Sequence, residues 1–159
     1  MFRSSVLTLV IVLGNLTAIP TTAQTVPANA SNTAQRTTLT VSITGLRNDK
    51  GQVFIQLWNQ PDGFPTKGNK GYKAVTIDAD KAVNGTVTAT FDIPPGTYAV
   101  STLHDENKNN KMDSNALGIP KEGYGASNNV VTHLHAPSFE QAKFQVPLSG
   151  QKISISMRY

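Results

Sequence analysis

Residues 86–103 read T-V-T-A-T-F-D-I-P-P-G-T-Y-A-V-S-T-L. Val87, Ala89 and Phe91 alternate with Thr86, Thr88 and Thr90. After Pro94-Pro95-Gly96, Tyr98 and Val100 alternate with Ala99, Ser101 and Leu103. A period of two places one set of side chains on each face of a strand, and threonine-rich alternation suits a strand with one wet face. Pro-Pro-Gly is a sharp turn. The stretch therefore predicts two β-strands and sets the pattern for the rest of the chain.

The same period runs outward in both directions. Leu39, Val41 and Ile43 alternate with Thr38, Thr40, Ser42 and Thr44. A turn signal at Asn48-Asp49-Lys50-Gly51 leads into Gln52–Asn59, with Val53, Ile55 and Leu57 on one face and Phe54, Gln56 and Trp58 on the other. The two runs are expected to form a hairpin. Tyr72–Asp78 is a further short strand. Toward the other end, strands are expected over Phe139–Val146 and Gln151–Tyr159, with a short one over Val130–Leu134. No stretch beyond the leader reads as helical. The expectation is an all-β fold, a single antiparallel β-sandwich of about seven strands, immunoglobulin-like or transthyretin-like, with one long ordered loop.

Composition sets limits. The chain has 159 residues, enough for one domain, and carries a formal charge of +4. Its lysines and arginines are scattered singly, which argues against nucleic-acid binding, where basic residues gather on one face or arm. Cysteine is absent, so disulfides, thiolate metal sites and a cysteine nucleophile are excluded. Residues 1–23 have the form of a signal peptide: Arg3, then the apolar run Val6–Leu16, then small residues for cleavage after Ala23, with Ala30 as a second candidate. The run is too short to span a bilayer, which takes about 20 residues. The expectation is export to the periplasm or the medium, no membrane span after cleavage, and a monomer. Residues 24–37, small and polar, are expected to be a disordered spacer before a domain over residues 38–159.

Between the fifth strand and the last pair lies H-D-E-N-K-N-N-K-M-D-S-N-A-L-G-I-P-K-E-G-Y-G-A-S, residues 104–127. Asp105, Asn107, Asn109 and Asp113 each offer a side-chain oxygen, and Lys111 a backbone carbonyl, at the spacing of a loop that wraps Ca²⁺. The pattern resembles the first nine positions of an EF-hand loop. It departs at the sharp-turn position, where Asn110 replaces glycine, and at the twelfth position, where Ala116 replaces a bidentate glutamate; Glu122 or Glu106 would have to substitute. With so few carboxylates the affinity expected is about 10⁻⁴–10⁻³ M, as in extracellular modules. The alternative is a metal-free loop closed by Asx turns. A second candidate centre joins His104 to His133 and His135 as a Zn²⁺ or Cu²⁺ site. No G-x-S-x-G motif or phosphate-loop spacing is present.

The run F-D-I-P-P-G-T-Y-A-V-S-T-L-H-D-E-N-K-N-N-K-M-D, followed by L-G-I-P-K-E-G-Y-G-A-S-N-N and preceded by Phe64-Pro65, resembles a family of exported bacterial proteins, domain of unknown function family number 2141. The resemblance covers roughly residues 38–159 and implies a β-sandwich and export, without an activity. The P-P-G-T-Y segment is more distantly similar to carboxypeptidase-regulatory-like and transthyretin-like modules. Ser156-Met157-Arg158-Tyr159 lacks the Tyr-Arg-Gly-Ser motif of the transthyretin-like hydrolases.

The function expected is a non-enzymatic envelope module with a Ca²⁺ loop that binds a protein, peptide or glycan. The alternative is a secreted metal-dependent hydrolase or transition-metal-handling protein. Trp58, Tyr72 and Tyr124 gathered on one exposed face would favour ligand binding.

Overall fold

The computed structural model describes residues 35–132 and 135–159. The expected signal peptide and most of the expected spacer lie outside them. Two sheets face each other. One has the order β4-β1-β8, built from Val87–Ile93, Thr37–Thr44 and Gln151–Ser156. The other has the order β3-β2-β5-β6, built from Lys73–Asp78, Gln52–Trp58, Gly96–Asp105 and Gly123–Ala126, with β7, Phe144–Val146, paired to the start of β5. The fold is an all-β sandwich.

Period-two alternation explains how the sheets close on each other. Leu39, Val41 and Ile43 of β1 are fully buried, opposite Phe91, Ala89 and Val87 of β4. Val53, Ile55 and Leu57 of β2 meet them from the facing sheet, with Tyr98 and Val100 of β5. Each Val, Leu or Ile buried this way contributes about 1.5–3 kcal/mol of transfer free energy. The threonines and serines between them on β1 and β4 stay half-buried or exposed.

Four expectations are corrected. β1 and β2 are not a hairpin: β1 pairs with β4 and β8, while β2 pairs with β3 and β5 in the other sheet. Alternation fixes which face is apolar but not which strand lies alongside, and the seven residues from Gly45 to Gly51 carry the chain across the sandwich. The β1–β8 pair is parallel, the exception in otherwise antiparallel sheets. The expected strand Phe139–Val146 is divided into a short helix α1, Phe139–Ala142, and β7. Ser138 caps that helix in a capping box with Gln141. The signal S-x-x-Q was present in the sequence, and it outweighs alternation over so short a run. Among residues 130–132 there is no strand, and a fourth strand of the larger sheet, β6, lies instead at Gly123–Ala126.

The outer face of the five-stranded sheet decides what the molecule can do. At one end Trp58, Ala99 and Ala126 are covered by Phe139 and Ala142 of α1, forming a second small core. Phe64 stands edge-on to both Trp58 and Phe139, with ring centroids 5.5 and 5.9 Å apart. The Trp58 indole N–H donates to Ser101 Oγ at 2.9 Å. Trp58 is fully buried and so unavailable as a ligand-stacking aromatic. The described residues leave the other end of the same face open.

Candidate functional site

The open end of that face is walled by the long loop between β5 and β6. The loop is built from its two ends. Asp105, fully buried at the end of β5, turns its carboxylate back into the loop. Its oxygens accept backbone N–H groups from Asn109 (3.1 Å) and Asn110 (2.8 Å) and the side-chain amide of Gln52 (3.1 Å). Burial pushes the Asp105 carboxyl up, but these hydrogen bonds outweigh it and hold the group below its ordinary value. Glu122, 4% exposed, closes the far end: one carboxylate oxygen accepts the Glu106 N–H and the other the Asp113 N–H, both at 3.0 Å. A single buried carboxylate thus fastens the two ends of the acidic-amide segment together.

Inside this frame the turns are made by side chains. Asn107 Oδ1 accepts from Asn109 N–H at 3.0 Å and Asn109 Oδ1 from Lys111 N–H at 2.9 Å, two successive Asx turns. Lys108 and Asn110 take the left-handed conformation at φ 59° and 63°. The value at Asn110 fits the expectation for the position where an EF-hand has glycine. The amide nitrogens of Asn107 and Asn109 donate to Asp113, at 2.6 Å to Oδ2 and 3.0 Å to Oδ1.

Of the five residues singled out in sequence, Asn107, Asn109 and Asp113 therefore converge on one another. Asp105 supports the backbone around them, and the Lys111 N–H closes the second turn. Glu122 and Glu106, which would have had to complete a ligand set, are engaged elsewhere: Glu122 as above, Glu106 with the Arg47 guanidinium at 2.6 Å. Among the described residues, no group of three or more His, Asp or Glu side chains is placed to hold a metal ion. The loop's donors are two acids and two amides. An asparagine turned end for end would offer oxygen toward Asp113 but would set its NH2 against the backbone N–H that its Oδ1 now accepts. The Asx turns therefore hold Asn107 and Asn109 as donors to Asp113, and a cation drawing on their oxygens would replace those turns.

Two of the three histidines are among the described residues. His104 is fully buried, with Nε2 2.7 Å from the Lys50 carbonyl and Nδ1 2.6 Å from the Tyr159 hydroxyl. A carbonyl only accepts, so Nε2 donates, and Nδ1 accepts the Tyr159 O–H. Tyr159 oxygen in turn accepts the Arg47 backbone N–H at 3.1 Å. Both ring nitrogens are thereby committed, which leaves His104 none for a metal. His135 is exposed, with Nδ1 against the Ala136 carbonyl, and His133 lies outside the described residues. Two glycines permit this packing. A Cβ at Gly51 (φ 74°) would stand 2.0 Å from the Asp105 carbonyl oxygen, and one at Gly123 would stand 2.6 Å from the Tyr159 ring.

Between the loop and the sheet lies a groove of about 1210 Å³. Phe54 and Leu103 of the sheet and Tyr124 of β6 line it, with Met112, Leu117 and Ile119 from the loop. Leu117 is 84% and Ile119 55% exposed. No direct signal for this groove stands in the residues: Leu117, Ile119 and Tyr124 of an ordered loop are expected to pack back onto the sandwich, whereas Leu117 and Ile119 stand at its edge. Tyr124 lines the groove, but Trp58 is buried and Tyr72 packs on Tyr98 at 5.9 Å, so the aromatic cluster that would have favoured ligand binding is not formed. No helix among the described residues is long and apolar enough to cross a membrane.

No curated protein and no solved structure matches the chain. A family match spans the sandwich from within β1 to within β8, including the whole loop, and on it the chain belongs to the bacterial family described as "Uncharacterized protein conserved in bacteria (DUF2141)", over residues 41–155.

Proposed function

We propose that this protein is an exported, non-enzymatic binding module of the bacterial envelope, located in the periplasm or outside the cell. Its β5–β6 loop binds Ca²⁺ and its groove takes a protein, peptide or glycan ligand. The leader-like residues 1–23 and the absence of cysteine support export without disulfides. The observation that carries the binding role is the pairing of a stapled loop with an unfilled face. Asp105 and Glu122 hold the loop, and the held loop raises Met112, Leu117 and Ile119 beside a groove over the sheet. Concave, largely preformed sites with apolar walls and a few polar groups are where small ligands and peptide segments bind.

The cation reading rests on Asn107, Asn109 and Asp113 lying within hydrogen-bond reach of each other. A Ca²⁺ ion there would draw on their oxygens, on the Lys111 carbonyl and on Asp105, and would stiffen the groove wall. Isothermal titration should show Ca²⁺ binding in the range of about 10⁻⁴–10⁻³ M, removed by Asp105→Ala and by Asp113→Ala. Absence of both heat and a thermal shift at millimolar Ca²⁺ would reject the ion. The groove is tested separately, by mapping amide resonances that move on adding short peptides and oligosaccharides. Shifts confined to groove residues support the binding role, and a panel that moves none of them argues against it.

A further inference from the structure

We infer that the groove's ligand is an acidic peptide segment with apolar side chains; this rests on the groove being a binding site, as proposed above. The lining is chemically one-sided. Lys111 from the loop and Arg158 beyond β8 line it, and among the described residues that do so there is no aspartate or glutamate. Neither Lys111 nor Arg158 takes part in an ion pair among the described residues. The nearby acids are already engaged: Asp78 with Lys108 at 2.7 Å, Glu106 with Arg47, Glu122 and Asp105 with loop backbone. The groove's own wall therefore presents cations and no carboxylate among the described residues, Asp113 too being turned onto the Asn107 and Asn109 amides, and a ligand that brings negative charge matches that wall.

The rest of the lining selects a peptide over a simple acyl chain or a nucleic acid. An acyl chain is best served by an enclosed apolar cavity. Here the apolar groups of Phe54, Leu103 and Tyr124 lie beside the Thr66 and Thr76 hydroxyls and beside Gln56, whose amide nitrogen donates to the Lys73 carbonyl and leaves its oxygen to accept. Those groups pair with a ligand that carries its own donors and acceptors along its length, as a peptide backbone does, while Leu117 and Ile119 meet its apolar side chains. A nucleic acid needs phosphate contacts repeated along a charged track, and two cations in a mixed groove do not make one.

The test uses residues 35–159 within the full mature chain and two dye-labelled octapeptides, one of alternating Glu and Leu, the other of alternating Lys and Leu. Fluorescence anisotropy should show the Glu-Leu peptide binding at least about tenfold more tightly than its Lys-Leu counterpart, weakening as salt screens the charges. The double variant Lys111→Gln/Arg158→Gln should lose about tenfold for the Glu-Leu peptide. Lys121→Gln/Lys152→Gln removes the same charge away from the groove and should change little; circular dichroism on both variants verifies folding. Equal binding of the two peptides, equal loss in both double variants, or tighter binding of oleate or an octathymidine oligonucleotide would each overturn the inference. So would failure of the Glu-Leu peptide to bind while an oligosaccharide moves groove resonances; that last result leaves the groove a binding site and removes only its acidic-peptide specificity.

Discussion

The two ends of the five-stranded sheet's outer face begin with the same materials and finish differently. At one end the chain returns on itself. Ser138 and Gln141 cap a single-turn helix, and Phe139 and Ala142 seal Trp58 from water. At the other end the chain also returns, through the long loop between β5 and β6, but the loop stands up at the side instead of lying down. Its polar residues are consumed in holding its own backbone, and its apolar residues, Leu117 above all, are left in solvent. Filling a face stabilises a fold, whereas holding a face open requires a frame that is rigid without it. The contrast supports the proposal that the second end is the working one, because exposed apolar side chains over a concave surface mark interaction sites more often than stability devices.

The sharpest way to break the contrast is at the filled end. Trp58→Ala removes the largest fully buried side chain of the small core and leaves a cavity beside Phe64. The expected cost is about 3–5 kcal/mol, read as a lower midpoint in urea unfolding. A loss under about 1 kcal/mol would mean that α1 collapses into the space and that the two ends are less different than the packing indicates. Glu122→Ala comes next. It leaves the backbone N–H groups of Glu106 and Asp113 without their shared acceptor, at a cost of roughly 2–4 kcal/mol if water does not replace it. Hydrogen exchange should accelerate through residues 106–121 while the core strands stay protected. Glu122→Gln retains one acceptor oxygen and should fall between the two.

Acid distinguishes the ends by sign. Asp105 and Glu106 are both held below their ordinary values; burial opposes this, and hydrogen bonds from Gln52 and the loop backbone, and from Arg47 and Asn48, outweigh it. A carboxylate whose folded value is depressed contributes stability above its unfolded value and loses it as pH falls through the folded one. Unfolding midpoints should therefore decline below about pH 4, with the loop opening first. Asp105→Asn should flatten that decline, and the Trp58 cluster, which has no carboxylate among its members, should not contribute to it.

Much of this division was legible in the residues, for reasons that differ by region. Alternation at Leu39-Val41-Ile43 and Val53-Ile55-Leu57 reads directly as buried faces because a strand's side chains point the same way wherever the strand goes. The partner of each strand is a long-range matter, which is why β1 and β2 read as a hairpin and lie in opposite sheets. The oxygen spacing from Asp105 to Asp113 correctly flags a tightly turned loop with Asn110 left-handed. The same residue types satisfy backbone N–H groups or a cation, so spacing does not choose between them. Glu122 escaped because its role depends on two N–H groups brought together from 16 and 9 positions away. The groove escaped because an apolar residue in a loop looks alike whether it packs down or stands at a rim.

The smallest expected change in stability bears most directly on the open end. Leu117 is 84% exposed, so Leu117→Ser removes almost no buried area and should alter unfolding free energy by less than about 0.5 kcal/mol. Its two backbone anchors, Leu117 N–H and Ile119 N–H donating to Asn115 Oδ1 at 2.9 and 3.0 Å, do not involve the side chain and should persist. If the rim is there for a ligand, the same variant should weaken peptide binding severalfold while the melting temperature stays put. If instead Leu117 packs onto the sandwich in solution, as its place in an ordered loop first suggests, stability should fall with the substitution and binding should follow it down. Measuring both quantities on one variant separates a residue kept for contact with a partner from one kept for the fold.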